Sequence, residues 1–210
     1  MKKLLIWGAG DQGIVTLDCA LAMKTYSEID FLDFKEKKSR EISGYSIYKE
    51  KEEKLDTILS FYDEVIVATG DNSLREKKIS KLISIKASLA TIIHPTAVIS
   101  PSAKVSEGCT ILANAVINTN AFIGIGCIIN TASVIEHDCI VENFVNISPK
   151  ASMAGHTEIG RKTFLGIGST IMDEIKIGKE AVIGAGAVVI RDVPDYATVV
   201  GVPAKIKKQK

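Results

Sequence analysis

Residues 130–160 read NTASVIEHDCIVENFVNISPKASMAGHTEIG, and an aliphatic side chain recurs in this stretch at every sixth position. The same period extends in both directions, from residue 93 to residue 189, without an interruption. A small residue generally stands four places after each of these aliphatic residues, which we call the sixth-position row. The row consists of Ile93, Ile99, Val105, Ile111, Ile117, Ile123, Ile129, Ile135, Val141, Ile147, Met153, Ile159, Leu165, Ile171, Ile177, Ile183 and Val189.

This alternation of a large and a small inward-facing residue is the signature of a hexapeptide β-helix. Each hexad forms one side of a triangular prism, three hexads make one coil, and successive coils stack by parallel strand pairing. Seventeen hexads make about 5.7 coils. The sequence therefore predicts an all-β parallel β-helix in a second domain, residues 91–210, whereas the spacing by itself does not give the hand of the coil.

The first 90 residues follow a different pattern, in which short apolar runs alternate with charged stretches of helical spacing. This alternation predicts a separate α/β domain, residues 1–90, with a small Rossmann-like parallel sheet flanked by helices. Asp71, Asn72 and Ser73 are residues that commonly cap a helix N-terminus. The predicted strands are KKLLIW (2–7), EIDFLDF (28–34) and DEVIVATG (63–70), and the predicted helices are QGIVTLDCALAMK (12–24) and DNSLREKKISKLIS (71–84).

The composition excludes several classes of protein. A formal net charge of +1 over 210 residues argues against a general nucleic-acid binder, and no apolar run reaches the ~20 residues of a membrane span. The apolar run in MKKLLIW is too short for a signal peptide, so we expect a cytoplasmic protein. The four cysteines form no CxxC pair. Cys109 and Cys127 would stack on adjacent coils, but a reducing cytoplasm disfavours a disulfide between them.

His137 and Asp138 occupy neither inward row, so the imidazole should lie on the outer surface of the β-helix. A carboxylate beside an imidazole raises its basicity and orients its ring. Gly155 follows His137 by 18 residues and should lie one coil along, about 4.8 Å away. A glycine N–H next to a general base is a candidate donor to the oxyanion of an acyl-transfer reaction. A solvated surface histidine is the alternative interpretation.

The N-terminal stretch GAGDQG matches GxGxxG at Gly8, Gly10 and Gly13, between a predicted strand and a predicted helix. Such glycines let the backbone approach a phosphate at a helix N-terminus, although they also make ordinary tight turns. Asp33 ends the second strand, where dinucleotide-binding folds hold a ribose hydroxyl. Because the domain is short, the motif predicts binding of a mononucleotide portion rather than of NAD.

WGAGDQG, the uninterrupted hexads, NTASVIEHD, LGIGSTI and the closing GVPAK together resemble bacterial sugar acetyltransferases. The group includes the amino-sugar N-acetyltransferases of the UDP-N-acetylbacillosamine pathway and the sialic acid O-acetyltransferases. The resemblance covers nearly the whole chain. It implies a left-handed β-helix, acetyl-CoA as co-substrate and a homotrimer with sites between subunits. Nothing in the sequence suggests a bound metal. The implied acceptor is a nucleotide-linked amino sugar of the 4-amino-4,6-dideoxy type, used in surface glycan synthesis.

The resemblance also implies roles for individual residues. His137 matches the family's general base, Asp138 the acid that tunes it, and Gly155 the N–H that contacts the thioester oxygen. Relatives commonly have Glu in place of Asp138 and His in place of Gln12. Further acetyl-CoA contacts are implied for Asn146, Ile167 and Ala185. The implied nucleotide-sugar contacts are Gly10, Asp11, Gln12, Asp33, Phe34 and Gly70.

Several alternatives stay open at this point. His156 lies 18 residues after Asp138, so a structural pair, surface exposure and a catalytic role are all compatible with its position. His94, in IIHP, is most simply a linker residue, and the tail KIKKQK either approaches the phosphates of CoA or is a solvated charge run. Acetylation of a sugar hydroxyl, as on sialic acid, is the alternative reaction. A non-catalytic scaffold that binds nucleotide sugars is the alternative from another class.

Overall fold

The computed structural model describes residues 1–34, 42, 44–51 and 55–209. In its N-terminal part a four-stranded parallel sheet has the strand order β3-β2-β1-β4. None of the helices in the described part of the chain is long and apolar enough to cross a membrane. The elements of this part are β1 Lys2–Trp7, α1 Asp11–Met23, β2 Tyr26–Asp33, β3 Ile47–Lys49, α2 Leu55–Leu59, β4 Glu64–Val67 and α3 Asn72–Ser84.

The three predicted strands and two predicted helices of this domain are confirmed, with small shifts of their ends. Asp71 is the N-cap of α3, and its side chain accepts a hydrogen bond from the Leu74 N–H at 2.8 Å. Sequence reasoning missed β3 and the five-residue α2. All three residues of β3 are exposed, so this edge strand lacks the alternation of buried and polar residues that would predict it.

The second part is a three-sided parallel β-helix, as the hexads predict. Seventeen two-residue strands, β5 to β21, each end on a member of the sixth-position row. They are β5 Ile92–Ile93, β6 Val98–Ile99, β7 Lys104–Val105, β8 Thr110–Ile111, β9 Val116–Ile117, β10 Phe122–Ile123, β11 Ile128–Ile129, β12 Val134–Ile135, β13 Ile140–Val141, β14 Asn146–Ile147, β15 Ser152–Met153, β16 Glu158–Ile159, β17 Phe164–Leu165, β18 Thr170–Ile171, β19 Lys176–Ile177, β20 Val182–Ile183 and β21 Val188–Val189.

These strands form three sheets, which we call faces 1, 2 and 3. Face 1 contains β5, β8, β11, β14, β17 and β20; face 2 contains β6, β9, β12, β15, β18 and β21; face 3 contains β7, β10, β13, β16 and β19. Two further strands, β22 Ala197–Val200 and β23 Lys205–Gln209, extend face 1 beyond the last coil. The basic tail forms an antiparallel strand as far as Gln209, and residues 205–208 of this strand are exposed to solvent.

The predicted inward rows form the core of the β-helix. From Ile111 to Val189 every member of the sixth-position row is buried, and Cys109, Cys127 and Cys139 fill small inward positions as free thiols. The row is only partly buried in the first coil, which has a neighbouring coil on one side only. His94 belongs to this coil rather than to a linker, because its N–H donates to the Ile111 carbonyl at 2.8 Å.

Every corner of the prism from residue 108 to residue 186 contains a residue with positive φ, three places after the large inward residue. This left-handed backbone conformation turns the chain and costs about 1 kcal/mol or more for a residue with a Cβ. Asp138 (φ 57°) and His156 (φ 56°) occupy two of these positions. Their N–H groups bond to carbonyls of the preceding coil, those of Thr119 at 2.9 Å and His137 at 3.1 Å. These hydrogen bonds between adjacent coils therefore fix the backbone of Asp138 and of His156.

The N-terminal domain covers face 1 over its first four coils, and Arg75 joins the two parts. This guanidinium is fully buried and donates to carbonyls of two β-helix corners, Gly126 at 2.7 Å and Phe144 at 2.8 Å. It also donates to the Thr69 carbonyl at 2.9 Å and to Asn72 Oδ1 at 2.7 Å. Burial lowers the Arg75 pKa to about 10, so the group remains charged at neutral pH.

Candidate active site

His137 lies in the corner between faces 2 and 3, two residues after the end of β12, with its side chain 51% exposed. The side chain points outward because Ile135 and Cys139, two residues before and two residues after it, fill the inward positions. His137 Nδ1 is 2.9 Å from Asp138 Oδ2. A neutral imidazole that donates its Nδ1–H to this carboxylate leaves Nε2 unprotonated and able to accept a proton.

The Asp138 carboxylate has a second partner, because its Oδ1 accepts a hydrogen bond from Asn120 Nδ2 at 3.0 Å. The bond from His137, followed by the bond from Asn120, holds the pKa of the Asp138 carboxyl below its ordinary value. The carboxylate is therefore charged at neutral pH and orients the imidazole. Sequence reasoning missed Asn120, although the signal was present: it precedes Asp138 by 18 residues and occupies the same corner position one coil earlier.

Gly155 lies directly against the His137 ring. A Cβ built on Gly155 would be 2.6 Å from His137 Cε1 and 2.8 Å from Nε2, distances that no real side chain adopts. The Gly155 carbonyl accepts from the Glu174 N–H at 3.0 Å, whereas the Gly155 N–H donates to no group in the described part of the chain. The backbone of Gly155, whose N–H has no partner among the described residues, therefore lies next to the His137 ring, where a donor to an oxyanion near the base is expected.

His156 occupies the same corner one coil after Asp138, but the structure does not pair it with that carboxylate by a hydrogen bond. Its ring instead packs edge-to-face against the His137 ring, with the centroids 5.2 Å apart and an interplanar angle of 84°. The position of the His156 ring therefore limits the rotation of the imidazole of His137. Of the two histidines, only His137 combines a carboxylate partner with an adjacent glycine N–H.

The residues predicted to contact acetyl-CoA do not all share this corner. Ile167 and Ala185 are exposed and stack on each other at the corner between faces 1 and 2, so face 2 separates them from His137. Asn146 lies on face 1, is only 7% exposed and donates to the Gly70 carbonyl at 3.4 Å. Face 1 is opposite the corner of His137, so Asn146 and His137 belong to different sides of one chain.

The six residues predicted to contact the nucleotide sugar line one cleft of about 490 Å³ in the N-terminal domain, which we call the phosphate cleft. Close contacts require glycine at two positions of the motif: a Cβ on Gly8 would clash with the Ala68 carbonyl oxygen, and a Cβ on Gly13 would clash with the Gly8 carbonyl oxygen. Helix α1 begins at this cleft, and no side chain caps its N-terminus, so its first N–H groups can receive an anion. The six predicted nucleotide-sugar residues that line the phosphate cleft are Gly10, Asp11, Gln12, Asp33, Phe34 and Gly70.

The side chains of Asp33 and Gln12 favour binding of a ligand in the phosphate cleft. Asp33 Oδ2 accepts a hydrogen bond from the Ala9 N–H at 2.6 Å, so the carboxylate predicted to hold the ribose also fixes the glycine-rich turn. The amide nitrogen of Gln12 is buried and has no hydrogen-bond partner among the described residues. An unmet buried donor is costly, which favours a ligand acceptor at this point.

Both parts of the chain match families of known proteins. Residues 3–82 match the model of the PglD N-terminal domain, and residues 156–191 match that of the bacterial transferase hexapeptide (six repeats). Serine acetyltransferase of Haemophilus influenzae is 37% identical over 78 residues. That match covers 33% of this chain and 29% of the relative, so the chain spans less than a third of the curated relatives it matches.

Two solved structures are similar over nearly the whole chain. A His-to-Asn variant of perosamine N-acetyltransferase from Caulobacter crescentus, in complex with CoA and GDP-perosamine, is 32% identical with a TM-score of 0.92, over 99% of this chain and 98% of that one. The acetyltransferase domain of PglB from Neisseria gonorrhoeae, in complex with acetyl coenzyme A, is 33% identical with a TM-score of 0.89, over 98% of both chains.

Proposed function

Because the chain belongs to the family of bacterial sugar acetyltransferases that join a PglD-type N-terminal domain to a left-handed hexapeptide β-helix, we propose that it transfers the acetyl group of acetyl-CoA to the amino group of a nucleotide-linked amino sugar. A 4-amino-4,6-dideoxy sugar destined for a surface glycan, made in the cytoplasm, is the acceptor class we expect. The single observation that carries the proposal is the alignment of His137, Asp138 and Gly155 at one exposed corner.

In the proposed mechanism each of these residues has one role. His137 Nε2 accepts a proton from the sugar amine as the amine nitrogen attacks the thioester carbon. The Gly155 N–H donates to the thioester oxygen, on which negative charge develops. Asp138 stabilises the imidazolium that forms, because its carboxylate remains charged and hydrogen-bonded to Nδ1. The acetyl group is then bonded to the amine nitrogen, and the sulfur leaves as the thiolate of CoA.

The positions of the phosphate cleft and of His137 favour an active site shared between copies of the chain. The phosphate cleft adjoins Gly70, on the side of face 1, whereas His137 lies at the corner opposite that face. A sugar held in one chain would therefore meet the imidazole of a neighbouring copy, and we propose a homotrimer with its sites between subunits. Exposed apolar side chains on faces 2 and 3, and directly after strands of face 2, would be covered in such an assembly: Val98, Phe122, Ile140, Met172 and Ile190.

Mixed trimers test the shared site. We expect an equimolar mixture of Asp33→Ala and His137→Ala chains, unfolded and refolded together, to regain about a quarter of the wild-type activity at low acceptor concentration. Random assembly leaves that fraction of sites with one intact cleft and one intact imidazole. Each variant refolded alone is the control. If every site were built within one chain, the mixture would be no more active than its components.

Asp33→Ala should weaken binding of the nucleotide sugar by about tenfold or more and leave acetyl-CoA binding unchanged, since a charged hydrogen-bond partner of one ligand is removed. Isothermal titration calorimetry with each ligand measures both affinities. Asp63→Ala is the matched control, because Asp63 Oδ2 also accepts a backbone N–H, that of Lys3 at 2.7 Å, at the other end of the sheet. Unchanged affinity in Asp33→Ala would remove this residue from the site.

An acceptor panel tests the reaction itself. Acetyl-CoA turnover should be supported by at least one nucleotide-linked 4-amino sugar and not by free sialic acid, which needs no nucleotide cleft. Turnover with sialic acid alone would favour O-acetylation, and the absence of both turnover and acetyl-CoA binding would favour a scaffold. The contacts of Ile167 and Ala185 with CoA, and of Asn146 with the acetyl group, stay predictions.

A further inference from the structure

A second cleft, of about 480 Å³, continues from the phosphate cleft and shares Phe34, Leu74 and Lys78 with it. We call it the Glu50 cleft. Trp7, the last residue of β1, and Glu50, the first residue after β3, line it at the carboxyl ends of their strands. Ligands of parallel α/β sheets bind at this end of the strands, so one molecule can occupy both clefts.

Glu50 is held in a fixed orientation. Its backbone N–H donates to the Asp33 carbonyl at 2.7 Å, which places it next to the residue expected at the ribose. Glu50 Oε2 accepts from the Trp7 indole Nε1–H at 2.8 Å and from Lys78 Nζ at 3.3 Å. Glu50 Oε1 accepts no hydrogen bond from any residue the structure describes. Among the described residues, the cleft thus has a carboxylate oxygen that accepts no hydrogen bond, close to the ammonium group of Lys78.

Lys78, like Glu50, is held in a fixed orientation. Its ammonium lies 4.7 Å from the centroid of the Trp7 ring and only 13% of its side chain is exposed. Phe34, by contrast, is 69% exposed at the border of the two clefts. A planar ring bound there can stack on the phenyl group and present one hydrogen-bonding edge to Glu50 and Lys78.

We propose that the Glu50 cleft binds the nucleobase of the sugar nucleotide and selects a base with a lactam edge, in which a ring N–H stands next to a carbonyl group. This inference rests on the proposed function. Guanine, uracil and thymine have such an edge: the ring N–H donates to Glu50 Oε1, and the neighbouring carbonyl oxygen accepts from Lys78. Adenine and cytosine have an unprotonated ring nitrogen in that place, which would face the carboxylate without a proton between them.

The test is calorimetry of the full-length protein with GDP, UDP, dTDP, CDP and ADP. We expect at least one of the first three to bind about tenfold or more tightly than both CDP and ADP, and their mutual ranking identifies the base. In Glu50→Gln, Trp7 and Lys78 still donate to the side-chain oxygen, so the amide NH₂ replaces the free acceptor. Affinity for the preferred nucleotide should then fall about 10- to 100-fold, and its preference over ADP should disappear.

Glu28→Gln is the matched control, since Glu28 is an exposed carboxylate of the same domain paired with Lys3, and it should leave all five affinities unchanged. Equal binding of ADP and the best lactam nucleotide, or an unchanged preference in Glu50→Gln, would overturn the base assignment. Neither result would affect the proposed reaction, which the acceptor panel tests separately. If the wild-type protein bound none of the five nucleotides and acetylated no nucleotide sugar, both proposals would fail.

Discussion

His137→Ala is expected to lower kcat by about 10²- to 10⁴-fold, which is the usual contribution of a positioned proton acceptor. KM for acetyl-CoA should change little, because the lost interaction acts mainly in the transition state. The fold should survive, since the side chain points outward and belongs to neither inward row. Steady-state kinetics on one nucleotide-linked amino sugar measures the effect, and circular dichroism checks the fold.

The variants Asp138→Asn and His156→Ala distinguish the base from its neighbours. Asp138→Asn should lower kcat less than His137→Ala, because the base itself remains and only the charge that stabilises the imidazolium is lost. His156→Ala should be milder still, as it removes only a ring contact. Near-normal turnover in His137→Ala with a collapse in His156→Ala would show that the other imidazole is the base.

These assays need a chelator. The potential ligand atoms of His137, Asp138 and His156 all lie within 4.8 Å of one another. Imidazole and carboxylate groups at such a separation bind transition-metal ions. A contaminating ion would occupy the base and imitate the effect of a substitution.

Gly155→Ala is expected to lower kcat by about a hundredfold or more, although it adds only one methyl group. The new Cβ would lie 2.6–2.8 Å from the His137 ring, so the imidazole must leave its position against Asp138. A misplacement of about 1 Å in a catalytic group can cost about 10²-fold. The substitution should be tolerated by the fold, because the backbone of Gly155 has no positive φ and the three nearest contacts are side-chain atoms of His137.

A double-mutant cycle shows whether this loss acts through the imidazole. Once His137 is alanine, the methyl group at residue 155 has no ring to displace, so Gly155→Ala should have almost no further effect in that background. Full additivity of the two losses would mean that Gly155 acts independently of His137. The double variant also controls for a general effect of the methyl group on the coil.

How far the sequence predicts this protein differs between its two parts. In the β-helix each coil repeats after 18 residues, so a position in the sequence gives both the face and the coil of a residue. The proximity of Gly155 to His137 followed from that arithmetic, and Asn120 would have followed too. The spacing could not show which histidine bonds to the Asp138 carboxylate, because both His137 and His156 are within reach of it. Only the side-chain conformations decide between the two.

By itself the sequence determined the three-sided coil, its inward rows and the outward position of the imidazole, since a solenoid is held together by contacts between adjacent repeats of fixed spacing. The tertiary structure alone decided how the N-terminal domain covers face 1, where Arg75 meets corner carbonyls far from it in the chain. It also decided that Trp7 and Lys78 converge on Glu50. Contacts of this kind join residues with no common period, so they depend on shape and burial over the whole chain and leave no local pattern to read.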